Sequence, residues 1–348
     1  MSIIIDGNKV IERQLQACGP EDIVFADGIK TTITPVRYTP DLSDPALVMS
    51  LDGNWRVKRW PFPTEEISLV SVVMSDNDWE ECLQPGKVFY ADPEIEHTPI
   101  PNWNRVTLAH IDPQDGAVIR KRKNLPTIWA GRRIYLRFDS IYPAGQVYLN
   151  GKLLGGHFSG LTPVEYDVTD HVTAGEEALV AVRLYRKHKF VQMDMPRHAL
   201  EFAGLSQSAC FFATEQCQIA DYHFIAELDP GQTVGTLSGK VVLRNHLGKA
   251  VHAKVRLKLM ETHSVTEQTV TLEPKNTTNV KLLLSTKNPK LWNDEFPNLY
   301  QVHLELFVPG LPLQSIVFRI GFRCLELNPT GPKLNGNFIK FRGVNHLT

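Results

Sequence analysis

A chain of 348 residues in which 43% are hydrophobic and 22% charged can bury a real core, and that balance excludes a disordered chain. Its 37 Lys and Arg against 38 Asp and Glu leave a formal charge of −1, so no global field recruits nucleic acid or an anionic membrane, and partners have to be recognised locally. At roughly 100–200 residues per domain, two domains are the first expectation.

The opening residues Met1 to Gly7 hold no basic stretch ahead of a long apolar core. No apolar run approaches the ~18 residues of a membrane span. A cytoplasmic location is the resulting expectation. Ile3 to Ile5 and Val10-Ile11 read as an edge hairpin about Asp6-Gly7, while Pro35, Pro40 and Pro45 suggest that the first 50 residues form an arm over the surface.

Beyond residue 50, alternation with period two dominates. Ile134, Leu136 and Phe138 alternate with Tyr135, Arg137 and Asp139, and Val180, Val182 and Leu184 alternate with Ala181 and Arg183, the pattern of half-buried strands. Asn150-Gly151 between two apolar runs predicts a type I′ hairpin, because both central residues of that turn need positive φ. A change of character near Cys217 to Tyr222 marks a domain boundary. After it, Val255, Leu257 and Leu259 alternate with Lys254, Arg256 and Lys258, then Val280, Leu282 and Leu284, then Tyr300, Val302, Leu304 and Leu306. This second unit has the length and strand spacing of an immunoglobulin-like sandwich, and Tyr300 stands where a tyrosine corner returns its hydroxyl to the backbone. The chain ends on an Asn335-Gly336 hairpin and a short apolar strand with no further strand to pair with. No long segment keeps a 3.6-residue period, so the fold class is all-β, built as sandwiches.

Other patterns carry less. The five cysteines Cys18, Cys82, Cys210, Cys217 and Cys324 form no CxxC pair, which argues against a disulfide framework or a zinc site and for buried, inert thiols. Neither a metal nor another cofactor is implied. Arg120 to Lys123 is a basic run that reads as a solvated strand edge rather than a nucleic-acid contact. Asn276-Thr-Thr is read as a loop.

Several motifs stand in an order that carries more than any one of them. They are Leu51-Asp-Gly-Asn-Trp55-Arg, Ile100-Pro-Asn-Trp103, the Asn150-Gly151 hairpin, Thr162-Pro-Val-Glu-Tyr-Asp167-Val-Thr-Asp170, Asn288-Pro-Lys-Leu-Trp292 through Pro297-Asn-Leu-Tyr300, Arg319-Ile-Gly-Phe-Arg323 and Phe341-Arg-Gly-Val-Asn345. In that order and spacing they resemble the N-terminal part of glycoside hydrolase family 2, the β-galactosidase and β-glucuronidase group, over residues 50 to 348. The resemblance implies a jelly-roll sugar-binding domain over residues 51–218, an immunoglobulin-like domain over 219–327, and a stub of a (β/α)8 barrel over 328–348. It also implies that the catalytic glutamate pair of a retaining mechanism lies on later barrel strands. The parent protein is then expected to hydrolyse β-glycosides while this polypeptide alone does not. A free-standing carbohydrate-binding protein and an interaction module are the competing readings.

The resemblance also supplies candidate substrate contacts. Asn102 matches an Asn that reaches the sugar from the first domain, where an amide can donate to and accept from vicinal hydroxyls; a turn after Pro101 is the other reading. The family's substrate Asp falls at His198, whereas Asp194 matches it only with a short insertion, and Gln207 stands where the family has Arg. This departure leaves galactoside specificity open, and Asp194 also reads as a solvated loop carboxylate. Asn345 is retained at the end of the first barrel strand, followed by His346 in a changed context. Trp55 and Trp292 are read as packing residues rather than sugar platforms. Carbohydrate is the expected partner, and self-association is expected of a surface from which a barrel has been removed.

Overall fold

A computed structural model describes residues 46–61, 67–89, 115–142, 144–157, 162–185, 203–329 and 331–344, together with the backbone of four short strands before residue 46. The chain divides into two compact units, Met1–Val36 with Ser43–Ala213 and Arg37–Leu42 with Thr214–Thr348.

The first unit is a β-sandwich. Its larger sheet has six strands in the order β12 (Lys152–His157), β11 (Ala144–Leu149), β14 (Glu177–Tyr185), β9 (Asp115–Asn124), β6 (Gly53–Pro61) and β7 (Glu80–Gln84). The second sheet runs β13 (Val164–Asp167), β10 (Arg133–Phe138), β16 (Ala209–Thr214) and β5 (Val48–Ser50). Trp55, Val57, Ile119, Val147, Val182 and Leu184 of the first meet Leu136, Phe138 and Phe211 of the second in one buried cluster. Period-two alternation forces this, since every second side chain of a strand points to the same face. The turn at Asn150 (φ 50°) and Gly151 (φ 80°) has the expected type I′ signs. Two hairpins precede the sandwich, β1 (Ser2–Asp6) with β2 (Lys9–Arg13), at the expected place, and β3 (Ile23–Val24) with β4 (Lys30–Thr31).

The basic run departs from expectation. Strand β9 lies inside its sheet, between β14 and β6, and Arg120 is fully buried rather than solvated. Its guanidinium holds Asp76 at 3.2 Å, donates to the Met74 carbonyl at 3.1 Å and lies 5.2 Å from the Trp79 ring centre. Taking a cation out of water costs several kcal/mol, of which a paired carboxylate, a carbonyl and an aromatic face offset a part; burial still outweighs Asp76 and lowers the Arg120 pKa. Arg120 thus fastens residues 74–79 over the outer face of the sheet. Sequence reading missed this because local alternation places the residue on that face but does not show what covers it.

His157 ends β12 and is only 8% exposed. Burial pushes its pKa down to about 4, against a backbone hydrogen bond with Thr162 that pulls upward. The ring is therefore neutral near pH 7.

The second unit is a seven-stranded sandwich. One sheet runs β17 (Cys217–Leu228), β18 (Val234–Asn245), β21 (Thr277–Lys287), and the other β20 (Ser264–Leu272), β19 (Val251–Leu259), β22 (Tyr300–Phe307), β23 (Gln314–Ile320). Val255, Leu257 and Leu259 face the core with Leu237, Val241 and Leu243, and Lys254, Arg256 and Lys258 face outward, as their alternation requires. The tyrosine corner is present. Tyr300 is buried, and its hydroxyl accepts a hydrogen bond from the Lys290 N–H at 2.6 Å.

A three-stranded sheet, β24 (Leu325–Asn328), β25 (Gly331–Leu334) and β26 (Asn337–Phe338), follows the sandwich. Asn335 (φ 50°) and Gly336 (φ 83°) form its second turn. Asn335 also binds back to the sandwich, donating from Nδ2 to the Trp292 carbonyl at 3.0 Å and accepting at Oδ1 from the Cys324 N–H at 2.9 Å.

Asn245 is a buried amide with several partners in this unit. It is fully enclosed; Nδ2 donates to the carbonyls of Lys249 (2.9 Å), Leu272 (3.1 Å) and Glu273 (3.1 Å), and Oδ1 accepts from the Leu247 N–H at 2.9 Å and the Cys217 thiol at 3.3 Å. One side chain thereby ties three connections together.

Replacing Asn245 by Ala leaves several buried backbone groups without partners, so Asn245→Ala is expected to cost about 2–4 kcal/mol in urea unfolding of the second unit. A loss below about 0.5 kcal/mol, the size of an ordinary surface substitution, would contradict that role. For His157, the folded-state pKa lies below the ordinary 6.5, so between these values the unfolded chain binds more protons. Stability should then fall as pH is lowered from 6.5 toward 4, by about 2–3 kcal/mol from this group alone. His157→Gln is expected to flatten that part of the urea-midpoint profile, and parallel losses in both proteins would rule the assignment out.

Candidate functional site

The five sequence-predicted contacts, Asn102, Asp194, His198, Asn345 and His346, all lie outside the described residues. What the structure describes is the framework at the ends of the segments that carry the first three. Segment 90–114 leaves from β8 (Gly86–Phe89), and segment 186–202 arrives at β15 (Ala203–Leu205). These two strands pair, with Phe89 opposite Ala203. The other ends are paired as well, because Tyr185 of β14 stands opposite Gly116 of β9. The described strands that flank these two segments are thus paired with each other, β8 with β15 in a two-stranded sheet and β9 with β14 in the six-stranded one.

Close backbone approach builds the pairing of β8 with β15. A Cβ on Gly204 would lie 2.1 Å from the Gly86 carbonyl oxygen, so only glycine fits there. Gly204 also exchanges two hydrogen bonds with Tyr142, at 2.8 and 2.9 Å. The buried Gln84 accepts from the Leu205 N–H at 2.8 Å, and Arg59 Nε donates to the Val88 carbonyl at 2.8 Å. Sequence reasoning did not find Gln84, Arg59 or Tyr142, whose partners are 29 to 121 residues away for the two side chains. Gln207, standing in place of the family Arg, is exposed.

Other motif residues serve the scaffold. Trp55 is 1% exposed, with its indole N–H on the Leu51 carbonyl at 2.8 Å, and cannot stack on a sugar. Asp52 accepts from the Ser208 hydroxyl at 2.9 Å and the Ala209 N–H at 3.1 Å, while its carbonyl accepts from Lys121 Nζ at 2.8 Å. Burial pulls the Asp167 carboxyl upward, yet its bonds with Arg133 and Thr169 outweigh this and hold it below the ordinary range. Trp292 packs against Gly321, where a Cβ would come within 2.9 Å, and under the Arg323 guanidinium at 4.9 Å. Its role is packing.

Both buried glutamates among the described residues are ion-paired, Glu165 with Arg137 at 2.7 Å and Glu305 with Lys258 at 2.9 Å. They belong to different units. Among the described residues, no group of three or more His, Cys, Asp and Glu side chains is arranged to hold a metal ion. Cys82, Cys210 and Cys217 are buried free thiols, and burial pushes the Cys210 thiol up to about 12. Such groups are unreactive near neutral pH.

Comparison with known proteins places these features in one family. Residues 48–209 match the profile described as "Glycosyl hydrolases family 2, sugar binding domain", and residues 217–323 match "Glycosyl hydrolases family 2". A β-galactosidase of Halalkalibacterium halodurans is 26% identical over 324 residues, covering 90% of this chain and 31% of the relative. A β-galactosidase of Thermoanaerobacter pseudethanolicus is 24% identical over 289 residues, covering 77% of this chain and 37% of its own. The crystal structure of a Bacteroides uniformis β-glucuronidase superposes with a TM-score of 0.68 at 17% identity, covering 85% of this chain and 35% of that one; it supports the fold. The chain spans about a third of the length of these relatives. With both profiles matched in order on two β-sandwiches, the chain belongs to glycoside hydrolase family 2, of which it contains the sugar-binding and immunoglobulin-like domains.

Proposed function

We propose that this polypeptide is the non-catalytic N-terminal portion of a β-glycosidase that cleaves terminal β-glycosidic bonds with retention, through two glutamates carried on a barrel outside this sequence. The observation that carries the reading is coverage. Both family profiles are matched, yet the matched β-galactosidases extend to about three times the matched length, the chain covering 31% and 37% of them. A retaining mechanism needs two carboxylates about 5–5.5 Å apart, and the two buried glutamates described here sit in separate units, each bound to a cation.

In this reading the first sandwich forms one wall of the sugar pocket. Asn102, Asp194 and His198 meet substrate hydroxyls from the two segments flanked by β8 and β15, and Asn345 and His346 contribute from the end of the first barrel strand. The small sheet β24 to β26 is the opening of that barrel. Its exposed apolar side chains, Leu327 at 75%, Phe338 at 64% and the neighbouring Phe341 at 67%, are the surface on which the remaining barrel packs, and in the isolated chain they favour self-association.

Incubated with nitrophenyl β-galactoside and β-glucuronide, the 348-residue chain is expected to release no nitrophenol above buffer, whereas the protein read on through the barrel turns over one of them. In that longer protein Asn102→Ala is expected to lower kcat/KM about tenfold or more, the size of one lost substrate hydrogen bond. Turnover by the short chain would overturn the reading. An unchanged kcat/KM would remove Asn102 from the site.

A further inference from the structure

The outer face of the second unit's four-stranded sheet holds a feature that the sugar-site reading does not use. Thr269, Lys254 and Phe307 form one row across β20, β19 and β22. Past Phe307 the chain turns back, with the Leu311 N–H on the Val308 carbonyl at 3.1 Å and Gly310 at φ 83°. Between the row and this turn lies a cleft of about 410 Å³, lined by Phe307, Val308 and Leu311 on its apolar side and by His252, Lys254 and Thr269 on its polar side. That volume falls in the range of small-molecule sites, roughly 300–1,000 Å³.

Charge identifies the kind of occupant. Lys254 and Arg256 share Glu267 at 3.3 and 2.9 Å, and Arg256 and Lys258 share Glu305 at 3.5 and 2.9 Å. This ladder sets three cations against two carboxylates, and Lys254 ends it at the lip of the cleft. Arg256 also lies 4.8 Å from the ring centre of Phe307, so the floor of the cleft abuts positive charge. An anion placed at the lip completes the alternation while staying half in water, where its desolvation cost is small. A hydrocarbon body gains by covering the apolar wall.

We infer that this cleft is a binding site for a small amphipathic organic anion, an aromatic or branched aliphatic carboxylate, with its apolar body against Phe307, Val308 and Leu311 and its carboxylate on Lys254.

The test is a titration of the methyl-labelled 348-residue chain with 2-naphthoate, followed by NMR, with the neutral alcohol 2-naphthalenemethanol as the comparison. Saturable shifts are expected at the Val308 and Leu311 methyl groups, with the alcohol binding about fivefold more weakly, the loss of one half-exposed ion contact. Lys254→Gln should reduce naphthoate to the level of the alcohol. Thr269→Trp, a substitution at an exposed edge-strand position, fills the cleft without touching the core and should abolish the shifts. Shifts that do not saturate, that fall on other methyl groups, or that are equal for acid and alcohol would overturn the proposal.

Discussion

Each unit of this protein exists because two sheets bury opposed faces, and that burial fixes which residue may occupy every second position of a strand. A one-residue slip would turn the whole inward set to solvent. In the first unit the constraint is met by Val147, Val182, Ile119 and Val57 on one sheet and by Leu136, Phe138 and Phe211 on the other. In the second it is met by Val255, Leu257 and Leu259 against Leu237, Val241 and Leu243. Once register is fixed in this way, strand ends are fixed too, and with them the positions from which the connecting segments depart. The pairing of Phe89 with Ala203 and of Gly116 with Tyr185 is a consequence of register.

Polar groups inside such sandwiches are costly to bury, and partners offset that cost. Arg120, Asn245 and Gln84 find partners differently: the first through a carboxylate, a carbonyl and an indole face, the second through five hydrogen bonds, the third through one backbone N–H of β15. Each couples a connection to a sheet. The glycines do the complementary work, Gly204 by letting two backbones approach more closely than any side chain allows.

Much of the architecture was legible in the sequence because its signals are local. Asn150-Gly151 and Asn335-Gly336 require positive φ at adjacent positions and adopt it, and Tyr300 reaches only as far as Lys290. The alternation in β10 and β19 reports burial within a few residues. Long-range partners have no such signature. Arg120 looks like part of a solvated basic run until Asp76 and Trp79 are seen to cover it, and Gln84 carries no hint of Leu205, 121 positions on. The candidate sugar contacts came from motif order alone, and the structure contributes the paired strands that flank the segments bearing Asn102, Asp194 and His198.

The fold and the two family profiles show the sugar-binding and immunoglobulin-like domains of glycoside hydrolase family 2, and the proposed reading makes them the wall and support of a sugar-cleaving protein whose nucleophile lies elsewhere. The most direct measurement is intact mass after incubation with a cyclitol aziridine or epoxide, which alkylates the carboxylate nucleophile of a retaining glycosidase. The account predicts an unmodified mass for the 348-residue chain and one inhibitor added to the protein extended through the barrel. A stoichiometric adduct on a carboxylate of the short chain would contradict it.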